Sequence, residues 1–275
     1  MRHKVKKIIP EVFTLVLSLI ILIPLYMLLL NSFKDYANAN KLNLSFSTIE
    51  LKQIVDNYAS VFKESGLFTA YKNSVIVTSV SVILTILCAA MAGFILQRRK
   101  QKFISTINFL VIAGMTLPSA IIPTFFILKT IGLAQTYLGV CMVYTAGAFP
   151  LAVFLFTGFY NSIPVELDES AIIDGCGSFR LFFQIIFPLV KPVTITVLII
   201  TFMGIWNDFI ISLFLLNTPK RFTVVLTTFS FYGQKHSEWN LLFADIVLIS
   251  APVVALYLIL QKYIVSGMVS GAIKG

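Results

Sequence analysis

The side chains that could do chemistry are few in this sequence, and they are concentrated in residues 163–192. Four acids fall within nine positions there: Glu166, Asp168, Glu169 and Asp174. Anionic lipid headgroups would repel such a cluster at the cytoplasmic face of a membrane, whereas basic residues of a protein would attract it. The spacing therefore predicts a docking segment for a protein partner rather than a helix that lies on the membrane surface.

Catalytic, nucleotide-binding and metal-binding sites are not indicated elsewhere. The only histidines are His3 and His236, and neither has a plausible partner for acid–base work. The cysteines Cys88, Cys141 and Cys176 fit neither a disulfide framework nor a zinc site. No Gly-rich phosphate loop of the GxxxxGK[ST] type occurs. We therefore expect a chain that is not an enzyme and that binds no metal or cofactor.

The composition is that of a membrane protein. Hydrophobic residues make up 58% of the 275 residues and charged residues 12%, with a mean hydropathy of +0.92. Soluble domains carry about 25% charged residues. The net charge of +9 does not indicate nucleic acid binding, because the aromatic residues are interleaved with aliphatic ones and not with Lys and Arg.

The apolar runs predict an all-α, polytopic membrane bundle of six transmembrane helices. The predicted spans cover residues 8–30, 73–96, 103–128, 137–159, 193–216 and 241–260. Residues 31–72 are too polar to cross a membrane and should form short helices outside it. Small residues inside the spans should allow close helix contacts. These are Gly93, Gly114, Gly147, Gly158 and Gly204.

Basic clusters predict the orientation of the spans. The N-terminal tag, the loop after residue 97, Arg180, Lys191 and the C-terminal tail fall on one face of a six-span bundle. Both termini and residues 163–192 are therefore predicted to be cytoplasmic. The predicted organisation is a tag, first span and extracytoplasmic segment in residues 1–72, a transmembrane core in residues 73–262, and a tail in residues 263–275.

Residues 163–192 carry the signals of a helix, a turn and a second helix. Ser162 is expected to cap the first helix, and the Asp174–Gly175 pair is expected to break it. The second segment has apolar residues at helical spacing. These are Phe179, Phe182, Phe183 and Ile186, and Pro188 and Pro192 close the segment.

Asp208 is the most informative charge within a predicted span. Burying a carboxylate in the membrane is costly unless it faces water or a partner. Two interpretations stay open: Trp206, Asn207 and Asp208 line a translocation path, or they lie at the outer interface, where Trp and polar groups are common. Asp245, near the outer end of the sixth span, is expected to be solvated.

Residues 169–188 resemble the EAA motif of the inner-membrane subunits of ABC importers. The motif residues are Glu169-Ser170-Ala171, Asp174-Gly175, Phe182, Ile185 and Pro188, with Ser170 and Cys176 where alanine is usual. The segments PLYMLLLNSFKD, NYASVFKESGLFTAYKNSVIVT, WNDF and QKYIVSGMVSGAIKG resemble the carbohydrate-uptake permeases. Among these, the chain is similar to the shorter, six-span partner of the maltose type.

The resemblance implies a type I ABC importer transmembrane fold in the inner or plasma membrane of a prokaryote. It implies that residues 163–192, called the coupling loop below, contain a helix that sits in a cleft of a separate ATPase. The implied coupling residues are Glu166, Glu169, Ala171, Asp174, Gly175, Phe182, Ile185 and Pro188. Residues 271–275 either reach the ATPase or form a frayed tail.

The implied partners are a second homologous permease, two copies of the ATPase, an extracytoplasmic sugar-binding protein and membrane lipid. ATP and magnesium would be bound by the ATPase and not by this chain. The expected function is the import of a sugar or oligosaccharide through a pore of which this chain forms half. The alternatives are a secondary transporter driven by an ion gradient and an ABC permease for a solute other than sugar.

Overall fold

The structure is a computed structural model that describes residues 2–45, 50–233 and 237–272, with side chains for residues 10–45, 50–233 and 237–261. His236 and residues 273–275 of the tail lie outside the described residues. The helices of the described chain are joined by turns and loops, and its one isolated β-bridge joins Tyr232 and Ser237. The helices are α1 (Arg2–Phe33), α2 (Tyr36–Ala39), α3 (Leu51–Glu64), α4 (Leu67–Arg98), α5 (Lys102–Ala113), α6 (Ile121–Thr130), α7 (Tyr137–Tyr160), α8 (Glu166–Ile173), α9 (Ser178–Arg180), α10 (Phe187–Leu189), α11 (Lys191–Trp206), α12 (Ile210–Leu215) and α13 (Trp239–Ala272).

Four of the predicted spans are continuous helices in the described structure. By length and composition, four segments could cross a membrane: Pro10–Phe33, Leu67–Arg98, Tyr137–Tyr160 and Trp239–Gln261. They correspond to the first, second, fourth and sixth predicted spans. The start of α7 is fixed by Thr136, whose hydroxyl accepts a hydrogen bond from the Gly139 N–H at 3.0 Å.

The third predicted span is broken into two short helices. Helix α5 and a following turn reach Thr116, and α6 begins at Ile121. Pro118 causes the break, because a proline disfavours helical angles in the residue before it. Leu117 is accordingly extended, with φ −79° and ψ 126°. Pro123 does not interrupt α6, because it lies in the first turn, where the N–H has no helical partner.

The fifth predicted span is also interrupted, so the predicted count of six continuous helices is not reproduced. Helix α11 ends at Trp206 and α12 begins at Ile210. At its other end, Ser178–Leu189 meets Lys191–Trp206 at an angle of 78°. Counting that bent pair as one span gives up to five spans among the described residues.

The chain divides into two compact units, of which the first comprises Met1–Ala70 and Val224–Pro252. Buried amides join its helices: Asn57 donates to the carbonyl oxygens of Ser32 and Lys34, each at 2.9 Å, and Asn240 donates to Asn57 at 2.9 Å. Asp245 is fully buried, not solvated as expected. The Thr227 hydroxyl donates to its carboxylate at 2.8 Å, which offsets part of the cost of burial.

Lys34 lies beyond the end of α1 and is buried at 2% exposure. Its ammonium group donates to the Asn43 carbonyl at 2.9 Å and to the side-chain oxygens of Asn43 and Asn31 at 3.0 and 3.1 Å. Burial, reinforced by the charge of Lys41, lowers the pKa of the Lys34 ammonium. The segment after the first span is therefore an ordered polar structure, in keeping with its predicted place outside the membrane.

The second unit, Tyr71–Thr223 and Val253–Gly275, contains one apolar core that runs from the spans into the coupling loop. Its buried members in the spans include Ala89 of α4, Phe156 of α7 and Val197 of α11. Its buried members in the loop are Ile163, Ala171, Leu181, Phe182, Ile186 and Val190. The loop is therefore packed as part of the bundle and is not a free surface segment.

The span glycines differ in what surrounds them. A Cβ on Gly93 of α4 would lie 3.0 Å from the Phe156 Cβ and 3.3 Å from the Thr157 nitrogen of α7. A Cβ on Gly114 would lie 3.4 Å from Pro150. Positions 147, 158 and 204 have nothing within 4 Å among the described residues. Only the first two glycines therefore permit the close contacts expected of all five.

We expect Gly93→Ala to lower the stability of the purified protein relative to Gly158→Ala. The added methyl at position 93 must displace α7, which costs about 1–3 kcal/mol in a well-packed interior. The same change at position 158 meets open space and removes backbone entropy, worth about 0.5–1 kcal/mol in a helix. Thermal unfolding in one detergent compares the two variants. Equal midpoints would show that α4 and α7 are not tightly packed at this position.

Candidate coupling loop and polar cavity

The coupling loop is a helix–turn–helix, as the sequence predicts. Helix α8 ends at Ile173, and Gly175 takes the left-handed conformation with φ +78°. The Gly175 N–H donates to the Ile172 carbonyl at 3.0 Å and the Cys176 N–H to the Ala171 carbonyl at 2.9 Å. This pair of bonds is the Schellman motif, which satisfies the last carbonyls of a helix and favours glycine at the left-handed position.

The first helix of the loop begins differently from the prediction. Val165 occupies the N-cap position of α8 and provides no side-chain cap. The Ser162 hydroxyl instead donates to the Phe159 carbonyl at 2.8 Å, at the end of the preceding helix. The prediction that Ser162 caps α8 is therefore wrong, because its hydroxyl bonds to the end of α7 instead.

Helix α8 is called the first arm of the loop below, and Ser178–Leu189, after the turn, the second arm. The helical register of the second arm differs from the one predicted. Residues Leu181–Ile186 form a π-helical turn between α9 and α10, which adds a residue to the turn. Phe182 and Ile186 are buried, but Phe179 is 80% exposed and Phe183 is 42% exposed. The α-helical spacing that groups Phe179 and Phe183 with the two buried residues is therefore wrong. Pro188 and Pro192 flank the 78° bend that leads into α11.

The predicted coupling residues separate into an exposed set and a buried set. Glu166, Glu169, Asp174, Gly175 and Pro188 are exposed. Ala171 and Phe182 are buried, and Ile185 is half-buried. The exposed set can meet a partner, while the buried set attaches the loop to the bundle.

The sequence did not single out the exposed apolar side chains beside the acids. Ile173 is 85% exposed and Ile172 is 61% exposed, both at the end of α8. Phe179, beyond the turn, is exposed as well, so the loop exposes apolar side chains as well as Glu169 and Asp174. Exposed apolar groups rimmed by charges mark interaction surfaces. Their position between an acidic cluster and a turn is the sequence signal that could have identified them.

Asp168 has a role different from that of the other acids of the cluster. It is buried, and its carboxylate accepts from Arg98 Nε at 2.6 Å and Arg98 Nη2 at 3.3 Å. The pair is the one salt bridge found within the described residues. In the sequence, Arg98 serves only as one of the basic residues that predict the orientation of the spans. No local signal pairs it with Asp168, which lies 70 positions away.

The Trp206–Asn207–Asp208 segment lies at the break between α11 and α12. Trp206 is buried and its ring packs on Phe202 at 5.4 Å and on Tyr71 at 6.0 Å. Asn207 is exposed, and its amide donates to the Met203 carbonyl at 3.0 Å. Only Asp208 of the three lines a cavity in the second unit.

The Asp208 carboxylate stabilises the backbone at the break between α11 and α12. Its Oδ1 accepts from the backbone N–H of Ile211 at 2.8 Å and of Ser212 at 3.3 Å, as an N-cap residue does. The Tyr144 hydroxyl donates to the same oxygen at 2.9 Å and lies 2.9 Å from the Ser212 hydroxyl. All of these bonds use Oδ1, which leaves Oδ2 without a partner among the described residues.

The cavity beside Asp208 has a volume of about 260 Å³. It is lined by α7, α11 and the start of α12, and its polar side chains are Tyr144, Thr201 and Asp208. Small-molecule sites commonly enclose about 300–1,000 Å³. The cavity is smaller than this range, so it does not by itself enclose an oligosaccharide. Tyr144 and Ser212 could not be found by sequence, because their contacts with Asp208 are tertiary.

Known proteins share both the sequence and the fold of this chain. Residues 81–270 match the family described as binding-protein-dependent transport system inner membrane component. The chain is 34% identical to the probable starch degradation products transport system permease protein AmyC of Thermoanaerobacterium thermosulfurigenes, over 94% of each chain. It is also 34% identical to the melibiose/raffinose/stachyose import permease protein MelC of Bacillus subtilis, over 92% of this chain and 91% of that protein.

A chain in the crystal structure of a bacterial ABC transporter, involved in import of the acidic polysaccharide alginate, has the same fold. The TM-score is 0.80 at 19% sequence identity, covering 94% of this chain and 96% of the other. This likeness confirms the predicted fold class, and the related sequences confirm a transport subunit rather than an enzyme. The chain thus belongs to the family of inner membrane components of binding-protein-dependent transport systems, as a permease subunit of an ABC importer.

Proposed function

We propose that this chain forms half of the pore through which an ABC importer takes up a sugar or oligosaccharide, and that it transmits work from a separate ATPase. The coupling loop is the observation that carries the proposal. One of its faces presents acids and apolar side chains to a partner, and the other is packed into the core of the spans. Such a loop can pass a displacement to the bundle without doing chemistry.

The sugar class is supported by what the related permeases are named for. AmyC is named for starch degradation products and MelC for melibiose, raffinose and stachyose. The maltodextrin permease MdxG of Bacillus subtilis is 30% identical over 98% of this chain. These substrates are all oligosaccharides, so a related sugar is the substrate class proposed for this chain.

Membership of the family implies that the chain functions together with other ABC components, and we propose which components these are. Of two ATPase copies, each holding ATP and magnesium, one would place a basic cleft on Glu166, Glu169 and Asp174. A second permease would complete the pore, and an extracytoplasmic binding protein would deliver the sugar. The apolar side chains of the first span from Val12 to Tyr26 are exposed and suit lipid or the second permease. This arrangement requires cytoplasmic termini and a transmembrane core in residues 73–262.

Asp208 is the proposed substrate-path residue of the segment Trp206–Asp208. Its Oδ2 is available to accept a hydrogen bond from a sugar hydroxyl in the cavity, while Oδ1 maintains the break. Trp206 supports this position through its packing on Phe202. Asn207, with its amide bonded to its own helix, is a less direct contributor.

Purification of the chain in a mild detergent should recover an ATPase, a second permease and a binding protein. We expect the recovered binding protein to bind an oligosaccharide in a ligand screen, and the reconstituted complex to accumulate that sugar only with ATP. Calorimetry and vesicle uptake measure the two steps. Uptake that continued without ATP on an ion gradient, or a binding protein selective for a non-sugar solute, would contradict the proposal.

Replacing Gly175 with Val should reduce coupling, whereas replacing it with Asn should be tolerated. The φ of +78° strains a β-branched residue by about 1–3 kcal/mol, but Asn adopts this conformation readily. Within the described part of the chain, no atom lies within 4 Å of a Cβ built at position 175, so the difference isolates backbone strain from crowding. Sugar uptake per ATP hydrolysed should fall for Gly175→Val only. Similar ratios for both variants would remove the turn from the coupling mechanism.

Asp208→Asn should weaken sugar handling without unfolding the break. The amide oxygen can replace Oδ1 at Ile211 and Tyr144, but the second acceptor and the charge are lost. Loss of a charged hydrogen bond corresponds to a decrease of about 10–100-fold in apparent affinity. Asp208→Ala removes the cap as well and should also lower thermal stability.

Tyr144→Phe is the matched control for this site, because it removes one bond to Oδ1 and leaves Oδ2 in place. Concentration-dependent uptake measures the contact of Asp208 with the sugar, and thermal unfolding measures its role as a helix cap. If Asp208→Asn retained the apparent affinity of the unmodified protein, Asp208 would be a structural cap only.

A further inference from the structure

The end of α4 contacts both arms of the coupling loop. The Phe94 ring packs against Phe182 of the second arm at 5.8 Å and against Tyr160, the last residue of α7, at 5.6 Å. One turn later, Arg98 binds the first arm through Asp168. The loop is continuous with α7 in the chain, but side chains of α4 fix its orientation.

Arg98 makes more than an ion pair with the loop. Its Nη1 donates to the Ile163 carbonyl at 3.1 Å, and its Nη2 reaches the Pro164 carbonyl at 3.5 Å. Both carbonyls belong to the short connection between α7 and α8. The guanidinium group therefore holds the entry into α8 and the first turn of α8 together. Gln97 adds a bond of 2.9 Å to Asn161 at the start of the same connection.

The electrostatic setting favours this pair. Arg98 lies in the last turn of α4, where a positive charge complements the helix dipole, and Asp168 lies in the first turn of α8, where a negative charge does. Their side chains are only 13% and 10% exposed, so water and salt screen them weakly. The Arg98 guanidinium lies 5.8 Å from the Phe94 ring centroid, which restricts it further.

We propose that Arg98 is a positioning residue for energy coupling. It clamps the coupling loop to α4, so that a displacement of the loop moves α4 with it. Without the clamp, the loop is joined to the spans by apolar packing, by the Gln97–Asn161 hydrogen bond, and by its two chain connections, to α7 at residues 161–165 and to α11 at residue 190. Apolar contacts are not directional and allow sliding, whereas a forked guanidinium–carboxylate contact fixes orientation. This inference rests on the proposed coupling to a separate ATPase.

The test compares Arg98→Gln and Asp168→Asn with Arg99→Gln in the complete reconstituted complex. Arg99 is the exposed neighbour of Arg98, so its replacement removes the same charge without touching the clamp. We expect Arg98→Gln and Asp168→Asn to assemble and to retain basal ATP hydrolysis. Their sugar transport per ATP should fall about tenfold, and stimulation of hydrolysis by the sugar-loaded binding protein should be lost.

Two further variants distinguish a clamp from a general need for charge. Arg98→Lys retains the charge but not the fork, and should recover only part of the transport-to-hydrolysis ratio. The double variant Arg98→Gln with Asp168→Asn should be no worse than the single changes, because it leaves no unpaired charge. The proposal would be overturned if the Arg98 and Asp168 variants transported as much sugar per ATP hydrolysed as Arg99→Gln does. It would also be overturned if their transport and ATP hydrolysis fell together, in proportion to the amount of assembled complex.

A distance measurement tests the joint movement directly. Spin labels are placed at Lys100→Cys and Ser178→Cys, both exposed positions, in a background with the three cysteines replaced. With Arg98 present, the label distance should remain narrow and equal with and without ATP. With Arg98→Gln, it should broaden or shift between the two states. A distance that changes with ATP while Arg98 is intact would refute joint movement.

The controls separate the failure of this inference from failure of the proposed function. If the unmodified complex and Arg99→Gln show no ATP-dependent uptake, the proposed function fails before any clamp variant is compared. If both transport normally and the clamp variants do so as well, only the role of Arg98 is wrong.

Discussion

Placing a charge or an unbonded backbone group in hydrocarbon is costly, and this cost shapes the chain. The spans are therefore apolar, and side chains satisfy polar groups at two sites within them. The break after Trp206 is capped by Asp208, whose oxygen receives two backbone N–H groups and the Tyr144 hydroxyl. Asp245, fully buried, is bonded by Thr227. The polar groups of the membrane region thus lie where the helices are interrupted or packed.

The coupling loop combines two kinds of attachment. Its buried residues, among them Ala171, Phe182 and Ile186, belong to the same apolar core as α4, α7 and α11. Arg98 adds a directional contact with Asp168 and with the connection before α8. The outward face is left with acids, two isoleucines and Phe179. In the proposed mechanism, the outer face receives the ATPase, and the inner face passes the movement to the spans.

How far the sequence could predict this structure depends on whether the controlling signal is local. Thr136, Pro188 and the Asp174–Gly175 pair act on adjacent backbone, so the start of α7 and both bends of the coupling loop follow from the sequence. The break at Pro118 is also a local signal, but the apolar run around it favours one continuous span. The π-helical turn at Leu181–Ile186 has no such signal, and Phe179, which precedes it, lies on the surface.

The sequence by itself determined the membrane class, the helical fold, four continuous spans and the motif that marks the coupling loop. These depend on hydropathy, on turn residues and on spacing within about 20 positions. Only the tertiary structure decided which acid of the cluster is buried, that Arg98 is its partner, and that Asp208 joins Tyr144 across 64 positions. Such contacts arise when distant helices pack together, and no local pattern of residue types fixes which side chains then meet.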